Sequence, residues 1–511
     1  MRKISLIGPS QAITGSRHYK WWTYVSISVG LFVVVMDQSG TNIALPRIAE
    51  HFSVNIPTVQ WITLSYILSI SAMLMPLGRL SDMLGRRRVY IAGFLVFIGA
   101  AAIGGSAQAF PFLIVAKVIQ GIGSAGVQAN GLAMVADAFP ERERGKALGL
   151  YTSIVGVGLI SGPAIGGVLV SGLGWRAVFL ANIPIGLIAA ISAYAILTGR
   201  SPLTVSDSRR RGFDWPGAAL SSGMLASFLL GLSNAHRFGW GSPPIVASLA
   251  IAGFLLAAFV WWQLRTSDPM LDLSLFRSAV FSMGVSTRFL LFLANASVVF
   301  LMPFYLIQVL GYRADRAGLM ILPYAVGMAL TSPVSGRLSD RLGTRWLSVT
   351  GMALSASAMF TFSRLSFDSS AIHVIIGMIL GGTGMGTFSS ANTSAIMGAQ
   401  RREKYGIVAA FQNLVRNSGN VTGVALATAI VSFTMGSQGY EPSLAAVSDS
   451  GGEGVRMAFV TGLNRAFLVS GSLMALAMVV SGLRGEPRRK ESPVHRPVEQ
   501  VASNPSTSDR H

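Results

Sequence analysis

The sequence contains no cysteine and few charged residues. The absence of cysteine excludes disulfides and thiolate-bound metal ions within the chain. Charged residues make up 12% of the chain and hydrophobic residues 51%, and the mean hydropathy is +0.55. A chain of 511 residues with this balance is too apolar for a water-soluble globule. The composition therefore predicts a protein that crosses a membrane many times.

Acidic residues are especially scarce. There are 21 Asp and Glu residues against 40 Lys and Arg residues, a formal net charge of +19. In a soluble chain that excess would suggest binding to nucleic acid or to an anionic surface. Here most basic residues lie in alternate short loops, such as 86–88 and 209–211, and in the two terminal tails. No loop is long enough to fold as a basic domain, so we expect no nucleic-acid partner and assign the basic loops to the cytoplasm.

Apolar segments of about 20 residues, the length that crosses a bilayer as a helix, occur fourteen times between these loops. They lie near residues 22–45, 58–78, 89–107, 111–139, 146–171, 176–198, 214–234, 243–264, 281–310, 316–336, 346–364, 370–398, 406–435 and 463–483. An even number of spans puts both ends of the chain on the cytoplasmic side. The sequence thus predicts an all-α integral membrane protein with fourteen transmembrane helices and both termini cytoplasmic.

The two ends of the chain differ from the spans in composition. The first 20 residues contain no 7-residue apolar core, so no cleaved signal peptide is expected and the first span itself directs insertion. The segment 484–511 is polar and rich in Pro and Ser. That composition predicts a disordered cytoplasmic tail.

A repeated segment divides the chain. GRLSDMLGRRR begins at Gly78 and GRLSDRLGTR begins at Gly336, 258 residues later, each at the cytoplasmic end of an even-numbered span. Internal repeats are common in transporters and predict two related bundles. The predicted domains are an N-terminal tail at 1–21, a six-helix bundle at 22–198, two extra helices at 214–264, a second six-helix bundle at 281–483 and the tail at 484–511.

Four motifs occur along the chain, and one of them is present twice. The loop motif G-x-L-x-D-x-x-G-R-R is Gly78, Leu80, Asp82, Gly85, Arg86 and Arg87, and its second copy keeps Gly336, Leu338, Asp340, Gly343 and Arg345. The fifth span carries G-x-x-x-G-P-x-x-G-G as Gly158, Gly162, Pro163, Gly166 and Gly167. The first span carries D-x-x-x-x-N-x-A-L-P as Asp37, Asn42, Ala44, Leu45 and Pro46, and WRAVFLANIPIG spans 175–186.

Over residues 22–483 the chain resembles the major facilitator superfamily, and within it the fourteen-helix drug:proton antiporters. The second loop copy departs from the pattern at Thr344, where a basic residue is frequent.

The resemblance implies a function. Such a protein exports small molecules, among them lipophilic drugs and cations, across a bacterial cell inner membrane in exchange for protons. It implies no cofactor besides the proton as coupling ion, and we expect a monomer. A requirement for a periplasmic adaptor is left open.

The loop motif has a physical interpretation of its own. Asp82 follows a helix end with Arg86 and Arg87 nearby, and the pattern recurs at Asp340 and Arg345. A charge-assisted contact there would latch neighbouring helices, and separating them would change the conformation. The alternative is a cluster that only sets topology, which explains the arginines but not the two aspartates. We therefore expect a conformational latch formed by Gly78, Asp82, Gly85, Arg86, Arg87, Gly336, Asp340, Gly343 and Arg345.

The glycines of the fifth span form a ridge. Gly158, Gly162 and Gly166 lie four residues apart, so a partner helix can approach backbone to backbone. Pro163 removes a helix hydrogen bond and favours a kink. The alternative is tight packing with no further role. The second-half counterpart, Gly419 and Gly423, lacks the proline, so the two bundles are not expected to move identically.

Asp37 is the one acidic residue expected deep inside a span. An ionised carboxylate there costs about 2.5 to 3.5 kcal/mol on insertion scales, so it is not expected without a use. The fourth span carries a polar stripe with Lys117, where relatives usually have arginine, together with Gln120, Ser124 and Gln128. We predict proton coupling at Asp37 with Lys117. A static ion pair of Asp37 with Lys117 or Arg416 is the alternative.

Further polar residues are assigned to the substrate path. The predicted cavity residues are Thr41, Asn42, Gln120, Ser124, Asn130, Asn295, Asn392 and Arg416. Asn130, Asn295 and Asn392 either hydrogen-bond the substrate or link helices, and the sequence favours neither role. Arg288 either lines this path or extends to the cytoplasmic headgroups.

Other function classes are less compatible with the sequence. The six histidines are not at metal-ligand spacing with carboxylates, and GIGSAG at 121–126 has no preceding strand, so we predict neither an enzyme nor a metal site. Within transport, export of an endogenous metabolite or siderophore-like compound, or lipid translocation, is the second hypothesis. A ligand-binding receptor on the same fold is the third.

Overall fold

A computed structural model describes residues 18–54, 56–59, 61–197, 213–239, 241–312, 314–400, 404–440 and 452–483. Within these ranges the structure is all-helical, with no strands. The predicted tail at 484–511, residues 1–17 of the predicted N-terminal tail and the basic loop at 209–211 lie outside the described residues.

Fourteen long helices follow one another along the described chain. They are α1 (Tyr19–Phe52), α2 (Trp61–Leu84), α3 (Arg86–Gly105), α4 (Phe110–Ala138), α5 (Arg144–Leu173), α6 (Asn182–Ile196), α7 (Trp215–Phe238), α8 (Pro243–Arg265), α9 (Ala279–Phe304), α10 (Ala314–Leu342), α11 (Arg345–Phe362), α12 (Ala371–Gly398), α13 (Tyr405–Ser437) and α14 (Glu453–Leu483). A short helix Arg176–Leu180 precedes α6, and a π-helical turn Tyr305–Val309 ends α9. Each predicted span coincides with one of these helices.

Thirteen of the described helices are long and apolar enough to cross a membrane. The remaining helix, α11, lies where the eleventh span was predicted, but its 18 residues begin with Arg345 and include three serines. It packs closely against its neighbours α12 and α14. The fourteen-helix prediction is therefore confirmed at the level of helices.

Two apolar cores hold the helices together. One lies mainly among α1–α6 and includes Phe94 and Phe97, whereas the other lies among α9–α14 and includes Phe362 and Phe467. The first core also takes in Tyr405 and its neighbours at the start of α13. The start of α13 is thus packed into the first half of the molecule.

The two extra helices are joined at a buried carboxylate. Asp214 caps α7 by accepting a hydrogen bond from Gly217 N at 2.8 Å, and it also accepts from Trp262 Nε1 at 2.7 Å and Gln263 Nε2 at 2.6 Å on α8. Met270 N donates to it at 3.2 Å. One carboxylate therefore fixes α7, α8 and the segment that leads to α9.

That segment is tied to α13 by a second pair. Asp272 caps the turn Leu273–Arg277 and forms an ion pair with Lys404 just before α13. Partial burial by itself would raise the pKa of Asp272, but hydrogen bonds from Lys404 and Ser274 lower it to about 2. The carboxylate is consequently ionised at physiological pH.

Candidate functional site

Asp37 lies in the interior of the first half. It is 1% exposed, and so is Lys117 of α4. Lys117 Nζ donates to the two carboxylate oxygens at 3.1 and 3.3 Å, and to Thr41 Oγ1, one turn further along α1, at 3.0 Å. The structure thus joins the two residues predicted for proton coupling in one buried ion pair.

Three residues complete the surroundings of this pair. Asn182, at the start of α6, donates from Nδ2 to Asp37 at 2.6 Å. The Lys117 ammonium lies 4.7 Å from the ring centre of Phe179 and 5.1 Å from that of Tyr66. Aromatic faces stabilise a cation where water is excluded. Sequence reasoning missed these three residues, although an amide within an otherwise apolar span was a usable signal for Asn182.

The glycine ridge of α5 packs on the part of α1 that carries Asp37. A Cβ added to Gly162 would lie within 3 Å of Met36 O and Gly40 N, and one added to Gly166 would lie 3.0 Å from Gly40 O. Ser39 Oγ also donates to Gly158 O at 3.2 Å. Gly167 differs, since a Cβ there would meet open space. The partner of the ridge is therefore α1.

The second half repeats this packing with different chemistry. Gly419 and Gly423 of α13 approach the backbone of α9 at Phe289 O and Leu293 O. Asn295, the residue of α9 that corresponds to Asp37, accepts a hydrogen bond from Tyr324 at 2.7 Å. The centre of the second half therefore has a neutral pair where the first half has an ion pair.

Two arginines lie on α9 and α13 of the second half. Arg288 is 6% exposed and donates to Gln412 O at 3.2 Å and to Thr393 Oγ1 at 3.1 Å, so it does not extend to the headgroups. Arg416 is partly exposed and donates to Gln128 Oε1 of α4 at 2.6 Å. Both side chains lie at the same stretch of α13, since Arg416 follows Gln412 by one helical turn.

The other predicted cavity residues have varied environments. Asn42 is exposed and accepts from Thr63 at 2.9 Å. Ser124 hydrogen-bonds the Tyr66 hydroxyl at 2.7 Å, while the buried Gln120 Nε2 has no described hydrogen-bond partner.

Asn130 and Asn392 are both fully buried. The amide of Asn130 donates to Gly126 O of its own helix at 2.7 Å, and that of Asn392 donates to Gly284 O of α9 at 2.9 Å. These contacts favour helix packing over substrate binding for the two residues.

Each aspartate of the loop motif reaches a helix in the opposite half. Asp82, at the end of α2, accepts from Ile407 N in the first turn of α13 at 3.2 Å. Asp340, at the end of α10, accepts from Gly145 N at 2.8 Å and Lys146 N at 3.0 Å in the first turn of α5. Carboxylates at helix N-termini are favourable because the free N–H groups and the helix dipole are positive there.

Glycines let these crossing helices meet. A Cβ added to Gly78 would lie 2.6 Å from the Ala410 Cβ, and one added to Gly336 would collide with the Gly145 carbonyl. Gly85 and Gly343, with φ of 94° and 86°, make the turns into α3 and α11. The end of the molecule that carries the loop motif is thereby closed between the halves.

The arginines of the motif act within each half. Arg86 binds Asp82, at 3.2 Å, and also Asp137 of α4. Arg87 donates to Tyr194 O near the end of α6, and Arg345 donates to Gly482 O near the end of α14. Arginine therefore supports the last carbonyl groups of the sixth helix in both halves.

Comparison with known families identifies the fold. The model of the Major Facilitator Superfamily matches residues 27–287 and 284–507, nearly the whole chain. The chain belongs to the major facilitator superfamily. The chain is therefore a multi-pass membrane transporter rather than an enzyme, as the sequence predicted.

Relatives within the superfamily include resistance proteins. The chain is 31% identical to the riboflavin transporter RibZ of Clostridioides difficile over 80% of this chain and 87% of that one. It is 31% identical to the multidrug resistance protein Stp of Mycobacterium tuberculosis over 79% and 74%. It is 29% identical to the tetracenomycin C resistance and export protein of Streptomyces glaucescens over 97% of both chains.

Solved structures of superfamily members share the fold. The proton:xylose symporter XylE matches with a TM-score of 0.63 and 14% identity over 92% of this chain and 96% of that one. The human organic anion transporter MFSD10 matches with a TM-score of 0.62 and 15% identity over 90% and 99%. At these identities the similarity concerns the fold alone.

Proposed function

We propose that this transporter exports amphipathic small molecules in exchange for protons, by alternating access to a site between its two halves. The observation that carries the proposal is the buried Asp37, paired with Lys117 and hydrogen-bonded by Asn182. A carboxylate deep in a span is costly and therefore marks a functional site. Relatives that are named for drug resistance and export support transport of the substrate out of the cell.

The ion pair provides a way to couple proton and substrate. Protonation of Asp37 removes its attraction to Lys117, which then keeps the Thr41 hydroxyl and two aromatic rings as partners. Because α1 rests on the glycine ridge of α5 next to Asp37, a change in this pair alters how α1 sits on α5. The proton thereby biases the arrangement of the helices that line the site.

The loop motif acts as the conformational latch in this proposal. Asp82 and Asp340 hold the halves together at one end, each through a helix of the other half. Opening that end breaks both contacts, so the aspartates stabilise the closed arrangement.

The orientation and division of the chain follow from the basic loops and the repeat. Both termini lie in the cytoplasm, and the latched end is the cytoplasmic end of a protein of the cell inner membrane. The bundles are 22–198 and 281–483, joined by the helices at 214–264, and the tails are 1–21 and 484–511. The transporter works as a monomer in the lipid bilayer.

The proton gradient supplies enough free energy for this task. One proton that enters down about 100 mV supplies about 2.3 kcal/mol. For a neutral substrate exchanged one for one, this corresponds to roughly a 50-fold gradient at 1.4 kcal/mol per tenfold.

Everted vesicles with an acid interior test the proposal. Amphipathic compounds are added one by one while a pH-sensitive dye records proton release. Release that is triggered by a compound and abolished in Asp37→Asn is the expected result. Asp368→Asn, which changes an exposed loop carboxylate, is the matched control and keeps the response. If Asp37→Asn retains pH-dependent transport, the coupling assignment is wrong.

Export of an endogenous metabolite is the second candidate. The similarity to a riboflavin transporter favours it, since riboflavin is a vitamin rather than a drug. In the same vesicles, a response to riboflavin but to none of a panel of drugs would select this candidate.

A further inference from the structure

The buried and partly buried charges on the helices around the proposed site do not balance. Asp37 is neutralised by Lys117. Arg288 and Arg416 are each hydrogen-bonded to neutral groups, and neither has a carboxylate partner among the described residues. Buried or partly buried cations are normally paired with an anion, because an unpaired charge away from water is costly.

The two arginines lie at the same part of α13, near Gln412. Arg288 of α9 donates to the carbonyl of Gln412 on α13, and Arg416 lies one turn after Gln412 on the same face of that helix. Both side chains are cationic and lie at the same stretch of α13. Their convergence is unfavourable unless a negative group is placed against them.

The surroundings favour an occupant from outside the chain. Arg416 is partly exposed, and its hydrogen bond to Gln128 of α4 shows that it faces the space between the halves. The Gln412 side chain is fully buried, yet neither its oxygen nor its nitrogen has a described hydrogen-bond partner. A buried amide without a described partner, beside cations without a described carboxylate, provides the donors and acceptor that an anionic group would use.

We propose that Arg288 and Arg416 form the recognition site for an anionic group, so that the transported compounds are amphipathic anions such as carboxylates rather than lipophilic cations. Guanidinium groups suit this role because they bind carboxylate and phosphate oxygens with two parallel hydrogen bonds. The inference rests on the proposed export function, whose site it specifies.

An anionic substrate has a consequence for the energetics. An anion that leaves in exchange for one entering proton moves two elementary charges across the membrane in the favourable direction, whereas a monovalent cation exchanged in this way moves none. The membrane potential drives export of the anion most strongly. The arrangement of charges is thus suited to a cell that is negative inside.

Three fluorescent dansyl probes that carry different charges test the site. Dansylglycine is an anion, its methyl ester is neutral, and a dansyl amide with a trimethylammonium group is a cation. Binding to the full-length transporter in neutral detergent is followed by energy transfer from tryptophan. We expect dansylglycine to bind about 10- to 100-fold more tightly than the ester, the effect of a charge-assisted hydrogen bond, and the cation to bind most weakly.

Substitutions assign the preference to the two arginines. Arg288→Gln or Arg416→Gln is expected to reduce the preference for the anion to less than about threefold, while Arg416→Lys keeps part of it because the charge remains. Arg364→Gln removes an exposed arginine and is the matched control, which keeps the full preference. If a glutamine variant does not fold, the order of the three probes on the unsubstituted protein and on Arg416→Lys still tests the site.

The possible failures are distinguishable. A cation or ester that binds as tightly as the anion overturns the inference, even if these probes are transported and the export proposal stands. An anion that binds through the arginines but releases no protons from vesicles supports the inference and contradicts proton-coupled export.

The source of the anion is decided in the same assay. In nanodiscs of phosphatidylcholine, addition of phosphatidylglycerol that displaces dansylglycine identifies a lipid headgroup as a competing occupant. If the affinity for dansylglycine is unchanged by phosphatidylglycerol, the occupant of the site is a soluble anion.

Discussion

The two halves of the transporter place different chemistry at corresponding positions. In the first half, Asp37 of α1 is bound to Lys117, and α1 rests on the glycine ridge of α5. In the second half, Asn295 of α9 accepts a neutral hydrogen bond from Tyr324, and α9 rests on the glycines of α13. Both halves pack the corresponding helix on a row of glycines, but only the first half has a charged pair at the centre. The same helix packing therefore holds an ion pair in one half and, in the other, a neutral pair with two arginines that have no carboxylate partner among the described residues.

The difference has an energetic side as well. A buried ion pair is stable only while both partners are present, because either one alone is an uncompensated charge. A neutral hydrogen bond contributes about 1 kcal/mol, and its loss leaves only a polar group to be satisfied. We therefore expect the first half to be far more sensitive to substitution at its centre.

The largest effect is expected from Lys117→Met. The substitution leaves Asp37 buried without its cation, which costs about 3 to 5 kcal/mol of stability. Thermal unfolding in detergent measures it. Lys404→Met is the control, since its pair with Asp272 is more than a third exposed on both sides and is worth about 1 kcal/mol or less. Equal shifts for the two variants would contradict a special role for the buried pair.

The rescue of this defect sharpens the comparison. Lys117→Met combined with Asp37→Asn makes the centre of the first half neutral, like that of the second. The double variant is expected to regain most of the lost stability, although proton coupling remains absent. A double variant as unstable as Lys117→Met would show that packing of the lysine, not its charge, is what matters.

The glycine contacts are expected to give intermediate effects in both halves. Gly162→Ala pushes a methyl group against Met36 and Gly40 of α1, and Gly423→Ala pushes one against the carbonyl of Leu293 in α9. Overpacking of this kind costs about 1 to 3 kcal/mol. Gly172→Ala, whose added Cβ would meet open space, is the control and leaves thermal stability unchanged or slightly higher. A large loss in only one half would show that the packing of the halves is not equivalent.

The latch contacts are expected to be worth somewhat less. Asp340→Asn removes the charge that faces the first turn of α5, a change of about 0.5 to 2 kcal/mol, and Asp82→Asn does the same at α13. The closed arrangement at that end should become less populated. Since the chain has no cysteine, spin labels on Leu84→Cys and Leu342→Cys, both exposed in the structure, report the distance between the halves.

The control for the latch is Asp368→Asn in an exposed loop. It is expected to leave the distance distribution between the two labels unchanged. Latch variants that also leave it unchanged would mean that the two aspartates do not hold the halves together.

The smallest effect is expected at the centre of the second half. Tyr324→Phe removes the hydroxyl that donates to Asn295, and about 1 kcal/mol of stability should be lost. Tyr194→Phe, on an exposed side chain, is the control. A loss as large as that of Lys117→Met would remove the contrast between the charged and the neutral centre.

Much of the architecture was predictable from local patterns. Apolar segments of bilayer length marked the helices, and the repeat from Gly78 and Gly336 marked the duplication. Polar residues on α1 and α4 indicated that Asp37 and Lys117 face inward. These features depend on hydrophobicity and helical periodicity, which are properties of short stretches of chain.

Other parts of the site were not predictable in this way. Asn182, Phe179 and Tyr66 surround the ion pair, yet only their positions in space distinguish them from other amides and aromatic residues. The aspartates of the loop motif were expected to bind nearby arginines. Asp82 does bind Arg86, but both aspartates also reach backbone N–H groups in the opposite half. Backbone groups leave no signal in the sequence.

The sequence by itself determined that this is a membrane protein with fourteen long helices, since the apolar length of each segment is a property of that segment alone. Only the tertiary structure decided which groups meet. Asp37 finds Lys117 at a separation of 80 residues and Asn182 at 145, and Asp82 finds Ile407 at 325. Such contacts depend on how all the helices pack together, because a hydrogen bond forms only when donor and acceptor come within about 3 Å of each other.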